Sequence, residues 1–534
     1  MDESPREQFL ERIPFLLVFY FILACLFRLA SSPTLEMDEA EQVIMTQLPF
    51  RWTYASQPPL YTWLQKLIFD LLSPSVFSLI ALKLALLAST FLLAYSTVKR
   101  ISDSTLTATI AALSLFLIPQ YLWESQRDLT HSVLVTTITA LTVYLLIRIY
   151  QKQWPIDYLL LGLAFSAGLL SKYNYVFPLL AFLFAALSIP SFRRQLFNKK
   201  FFLTLIPFLI ILGFQIYAIM QHQKEVAKGV SDFNIQTIGL PALGKGLLSL
   251  LTNSLAFLAP LLIVAVICVI GSNPADDLEE NEAAYDEEYE YEEEEEEEED
   301  SQLTESQIVT RTLKRFLAIS IIYIILIAAI LFAITGGTSL KDRWLQPLYY
   351  IIPLYLALLI TPKLSNHRQN LFMTISGIAA VVVLILLPLQ PILSPIIGKP
   401  SRRNDPFPKI ATKLITQKLD LPQIIAADRR IAGNLKLALP HAQVISPNLP
   451  HNPINPALPT LLVWDIDRSQ NLPAPLDEIA HQDFALQLPL KPQLTLTATK
   501  YYTPTTHERA NLTLGIDIIN HPAPSPKAIS APVE

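Results

Sequence analysis

The chain has 534 residues, 52% hydrophobic and 16% charged, with a mean hydropathy of +0.39. That composition excludes an ordinary soluble enzyme and fits a polytopic membrane protein. The net charge of -6 carries little information, because one acidic run supplies much of it.

The N-terminus, MDESPREQFLERIP, has mixed charge and leads into an apolar stretch. No small-residue cleavage site follows, so the stretch is expected to be an uncleaved first helix and not a signal peptide. A bilayer core needs about 20 mostly apolar residues in a helix. Eleven segments qualify or nearly do: 13–31, 75–98, 105–123, 130–150, 156–171, 174–190, 201–220, 247–271, 313–335, 345–361 and 370–389. The shortest two are joined by Ser171-Lys172-Tyr173-Asn174, a hairpin that also suits helices that do not fully cross. The cysteines, Cys25 and Cys268, both lie in apolar segments, where a structural disulfide is not expected.

Lys and Arg near the span ends set the orientation. With a cytoplasmic N-terminus, Arg6, Arg12, Lys99, Arg100, Arg148, Lys152, Arg193, Arg194, Lys199, Lys200 and several later cations fall inside. The smaller outside set includes Arg51, Lys66, Arg127, Lys172, Lys341 and Arg343. An odd span count then puts the loop at 32–74 and the C-terminus outside. Between the eighth and ninth spans runs DDLEENEAAYDEEYEYEEEEEEEEDSQLTE. Such a run repels itself and buries no core, so 273–306 is expected to be a disordered cytoplasmic spacer.

Prolines cluster after 387 and read as a stiff linker out of a membrane module at 1–390. A small soluble α/β domain is expected over 391–520, followed by a disordered tail at 521–534. Its expected helices are 407–419 and 429–439. Its expected strands are 423–427, 442–446, 460–465, 484–490, 494–502 and 512–519. No Gly-rich phosphate loop, metal-ligand spacing or nucleophile triad is visible there, and the Asp465/Asp467 pair reads as a turn.

The most informative stretch is 35–73, LEMDEAEQVIMTQLPFRWTYASQPPLYTWLQKLIFDLLS. It is too polar to span a bilayer and too aromatic for an idle linker. It holds an acidic cluster (Asp38, Glu39, Glu41), Arg51 among aromatics, and a rigid Gln57-Pro58-Pro59 corner. MDEAEQ at 37–42 followed by QPPLYTWL at 57–64 resembles the GT-C superfamily of membrane glycosyltransferases. Within it the chain looks like the protein mannosyltransferase family and its relatives that modify lipid A and lipopolysaccharide. Arg127-Asp128, Ser171-Lys172 and Asp342-Arg343-Trp344 add weaker support. Relatives often carry Lys or His where this chain has Gln57, so a phosphate contact from that position is not carried over.

The resemblance implies transfer of a sugar from a polyprenyl-phosphate donor to a lipid A, glycan or protein acceptor. The reaction would occur at the periplasmic face of a bacterial inner membrane, among membrane lipids and with no nucleic acid. Such a transfer needs a carboxylate to take the acceptor proton. It also needs cations to neutralise the departing phosphate. Asp38 is the expected base, with Glu39 the other catalytic candidate. Arg51, Arg127, Lys172, Lys341 and Arg343 are the expected phosphate ligands. Asp128 orients one of these or holds a divalent metal, the one cofactor expected. Pro58 stiffens the loop beside Gln57, and Tyr54, Tyr61 and Trp63 offer faces to a sugar or prenyl chain. Plainer roles compete: Asp38 and Glu39 as helix N-terminal charges, the aromatics as an interface belt, Lys172 as a snorkelling lysine, and His131 as a packed polar contact. Two other classes were weighed. A transporter should place charges at mid-span in repeated halves, and a lipid-carrier flippase should have a hydrophilic interior route; neither pattern is visible.

Overall fold

The protein was examined as a computed structural model that describes residues 5–54, 56–223, 239–270, 272, 304–339, 341–486 and 491–519. The expectation of disorder over 273–306 falls outside these residues at 273–303 and is corrected at 304–306, where Thr304 caps the helix Glu305–Thr335; the expectation for the tail at 521–534 also falls outside them.

Every expected span is helical. Among the described residues, seven helices are long and apolar enough to cross alone: Ile13–Ser31, Val76–Ser102, His131–Lys152, Lys199–Gln221, Leu240–Ile270, Glu305–Thr335 and Asn366–Ile396. Three more are bent pairs, Thr105–Leu117 with Gln120–Arg127 (76°), Tyr173–Ser188 with Pro190–Leu196 (113°) and Asp342–Tyr349 with Ile351–Lys363 (53°). Pro155–Ser171 is a shorter apolar helix. Two of the bends fall at prolines: Pro119 caps the turn Gln120–Glu124, and Pro190 takes the first position of Pro190–Leu196.

The cations assigned to one membrane side meet at one end of the bundle. Arg148 pairs with Asp157, Arg100 reaches Gln151, and Arg6 reaches Gln369. The loop at 32–74, Asp128, Asp342 and the C-terminal domain gather at the other end. The final span runs further than expected. Its helix continues through Pro388, Pro391 and Pro395 to Ile396, where the sequence suggested a linker. Pro395 has no N–H for the carbonyl of Pro391. Asn404 Nδ2 donates to that carbonyl instead, at 2.6 Å, which satisfies the group the proline orphans.

The C-terminal domain is a five-stranded sheet in the order β2-β1-β3-β5-β4. Its strands are β1 Gln423–Ala426, β2 Gln443–Ile445, β3 Thr460–Asp465, β4 Leu494–Thr499 and β5 Asn511–Ile519. The first three pair in parallel and β5 is antiparallel to both neighbours. Helices Phe407–Thr416 and Arg429–Ala438 match expectation, whereas Ala474–Phe484 is a third helix. The strand expected over 484–490 is therefore corrected at its start: Phe484 closes that helix, and 487–490 lie outside the described residues.

This domain is not a tethered appendage. Its helix Arg429–Ala438 lies against the short helix Met37–Met45 of the first loop. Asn434 Oδ1 accepts the N–H of Leu35 at 2.8 Å. Gly433 sits so close that a Cβ there would lie 2.2 Å from the backbone oxygen of Ala40. Only glycine permits that approach.

Two outcomes test this architecture. Reporter fusions after Ser272 should read cytoplasmic and fusions after Lys409 extracytoplasmic, whereas a shared side would break the span count. Gly433→Val should destabilise the protein by roughly 1–3 kcal/mol, the usual range for overpacking. Gly377→Ala, in a span with open space around it, should be neutral. Thermal unfolding in detergent compares the two.

Candidate active site

The helix Met37–Met45 carries the site because of how it is anchored. Glu36 and Glu39 form a reciprocal capping box at its N-terminus. Glu39 points into the protein and is 1% exposed. It accepts from Lys83 Nζ at 2.7 Å and from Arg28 Nη2 at 3.3 Å, both from spanning helices. Burial pushes its carboxyl up, but Lys83, Arg28 and Arg403 outweigh this and hold it down at about 2. Arg403 is itself fully buried beside Glu36 and donates to the carbonyl of Arg127 at 2.6 Å.

Asp38 is the neighbouring residue on the helix and faces a different space. It lines a cavity of about 260 Å³ with Asp128, Glu124, Gln120, Asp342 and four arginines: Arg127, Arg343, Arg402 and Arg429. The Asp38 N–H donates to Asp128 Oδ1 at 2.8 Å. Burial, and then the charges of Asp38, Glu36 and Glu39, push the Asp128 carboxyl up to about 8. The crowding of carboxylates around Asp128 thus disfavours its charged form. Arg127 pairs with Glu124 at 2.7 Å and not with Asp128. Asp342 accepts from Gln120 at 2.8 Å, which ties the bent third span to the segment that presents Arg343.

The expected site residues separate into groups. Asp38, Asp128, Arg127 and Arg343 come together in this cavity. Glu39 does not reach it. Arg51 and Gln57 line a second cavity of about 670 Å³, between the first loop and the C-terminal domain. Tyr54 is buried, with its hydroxyl on the carbonyl of Pro49. Tyr61 is buried against the His131 ring, and Pro58 is also buried. These three brace the loop and line neither cavity. Lys172 donates to Ser132 Oγ at 2.7 Å, and Lys341 opens the short helix Asp342–Trp344. Neither lysine lines the cavity that holds Asp38. His131 is the packed polar contact that was expected, 3.2 Å from Gln42.

Sequence reading missed Arg402, Arg403 and Arg429. Each sits in an Arg-Arg pair beside an acidic residue, in SRRNDP and ADRRIA, which was the available signal. Arg429 forms an ion pair with Glu41, whose carboxyl burial pushes up against the pull of that guanidinium. For a metal, no group of three or more His, Cys, Asp or Glu is suitably placed among the described residues.

The chain is similar to known proteins in both sequence and fold. A family model for dolichyl-phosphate-mannose-protein mannosyltransferase matches residues 56–217. The lipopolysaccharide core galacturonosyltransferase RgtB of Rhizobium johnstonii is 29% identical over 498 residues, covering 90% of this chain and 92% of the relative. RgtA of the same organism, described in the same words, is 28% identical and covers 84% of this chain and 85% of its own. In fold, the chain superposes on ArnT of Cupriavidus metallidurans bound to undecaprenyl phosphate. The TM-score is 0.54, with 11% identity over 94% of this chain and 97% of that one. The chain is a multi-span membrane glycosyltransferase with a GT-C-like fold.

The geometry revises one expectation about Glu39. Glu39→Gln would leave Arg28 and Lys83 buried without a full carboxylate partner. Breaking a buried pair typically costs about 3–5 kcal/mol, so the variant should unfold early and express poorly. A group held below its unfolded value stabilises above that value. This contribution should be lost as pH falls from about 4.5 toward about 2. Thermal unfolding across that range, for wild type and Glu39→Gln, reads it directly.

Proposed function

We propose that the protein transfers a sugar from a polyprenyl-phosphate donor to a lipopolysaccharide-type glycan at the periplasmic face of the inner membrane. One observation carries this reading: a single cavity places Asp38 opposite guanidinium groups from four separate segments. An anionic lipid phosphate at the end of a membrane bundle is the ligand such a cavity suits. Charge-assisted bonds from Arg are strong and match phosphate geometry.

The chemistry follows. The bond between the anomeric carbon and the phosphate oxygen breaks through an oxocarbenium-like state. Its electron pair leaves with the lipid phosphate, whose charge Arg127, Arg343, Arg402 and Arg429 offset. The acceptor hydroxyl attacks the anomeric carbon, and its proton passes to Asp38. Asp128 accepts the Asp38 N–H and so fixes the end of the helix that presents Asp38. The acceptor class rests on relatives that resemble nearly the whole chain and are described as lipopolysaccharide core galacturonosyltransferases. Protein O-mannosylation is the second reading, favoured by the mannosyltransferase match, which spans only 56–217.

Asp38→Asn keeps the shape and removes the proton acceptor. Transfer in reconstituted vesicles should fall by about 10²–10⁴-fold, the usual contribution of general base catalysis. Undecaprenyl phosphate binding should change far less, because arginines hold the phosphate. Near-normal turnover would remove Asp38 from this role. Mass spectrometry of lipid A, lipopolysaccharide and secreted proteins from a deletion strain should show a sugar missing from lipopolysaccharide. A loss on secreted proteins alone would favour the second reading.

A further inference from the structure

The larger cavity, about 670 Å³ between the first loop and the C-terminal domain, has no part in the mechanism above. We propose that it is the acceptor subsite and that it takes an anionic oligosaccharide. This rests on the glycan-transfer reading of the preceding subsection.

Three observations support it. The first is placement. Met37 and Arg429 line both cavities, so the two spaces adjoin across the residue next to Asp38. A glycan held in the larger space can present a hydroxyl to Asp38 while the donor phosphate sits among the arginines. Its volume lies within the about 300–1,000 Å³ of ordinary ligand pockets.

The second is an unmet polar group. Ser446, which follows β2, lines the cavity and is 1% exposed. Its Oγ has no hydrogen-bond partner among the described residues. Buried hydroxyls are almost always paired, so an unpaired one in the wall of a cavity leaves a hydrogen bond open there. Gln57 and Asn448 line the same wall and add amide donors and acceptors of the kind sugar hydroxyls use.

The third is charge. Both carboxylates in the wall are already engaged: Glu41 by Arg429, and Asp428 by Arg468 at 3.2 Å. Arg51 lines the cavity with no carboxylate partner among the described residues. Arg51 is therefore the cation of this wall left open to a ligand's carboxylate or phosphate, and it selects a glycan that bears one. This moves Arg51 from donor phosphate to acceptor and accounts for its distance from the catalytic cavity.

The test uses full-length enzyme in vesicles. Lipopolysaccharide purified from a strain lacking this protein serves as acceptor, and the polyprenyl-phosphate sugar fraction of the same strain as donor. Arg51→Gln should raise the acceptor KM by about tenfold, as loss of a charged hydrogen bond implies. Its kcat at saturating acceptor and its undecaprenyl phosphate affinity should hold, and Arg51→Lys should recover part of the loss. Ser446→Phe, which fills the cavity from its wall, should raise the acceptor KM further. Thermal unfolding of each variant checks that the fold is kept. If wild type transfers sugar but folded Arg51→Gln and Ser446→Phe leave the acceptor KM unchanged, the subsite is wrong and the glycan-transfer reading stands. A loss of undecaprenyl phosphate affinity in Arg51→Gln would likewise overturn it and return Arg51 to the donor. If wild type transfers nothing to lipopolysaccharide, the reading beneath it fails as well.

Discussion

The structure turns on the buried carboxylate of Glu39. Two spanning helices offer it cations, Lys83 from one and Arg28 from another. Isolated charges inside a protein are very costly, and each of these is tolerated only because the others are there. Successive helical residues point about 100° apart, so fixing Glu39 inward also fixes its neighbours. Asp38 is turned to the cavity beside Asp128. Glu41, three residues beyond Asp38, falls on the same side and meets Arg429. One buried ion cluster thus sets the rotation of a nine-residue helix and thereby the aim of the proposed base.

The C-terminal domain completes what the membrane bundle begins. Two of the four arginines in the catalytic cavity follow the last span: Arg402 in the connection and Arg429 at the start of a domain helix. They arrive because Gly433 lets that helix rest on the backbone at Ala40 and because Asn434 hydrogen-bonds Leu35. The connection is braced as well, with Ser32 Oγ on the carbonyl of Arg403 and Thr34 Oγ1 on that of Asp405, each at 2.6 Å. A membrane module without this domain would lack part of its positive charge and one wall of the larger cavity.

The sequence by itself determined the membrane class, the position of every span and the identity of the loop that matters. Those are local properties: a run of apolar residues long enough for a bilayer, or an acidic cluster followed by a double proline, is written in consecutive positions. It also led to the expectation, from span parity, that the cations of interest lie at one end of the bundle. Which of those cations share a cavity was decided only by the tertiary structure. Arg51, Lys172 and Lys341 sort with Arg127 and Arg343 by topology, yet line a different space or none. Asp38 and Glu39 are adjacent and chemically alike, and nothing in the chain order says which one faces inward. That depends on Lys83, far along the chain, and on where the second span packs. Arg402 and Arg429 reach the site for the same kind of reason. Their contacts cross hundreds of residues, and no local pattern encodes a distance that only the folded bundle and its docked domain bring to zero.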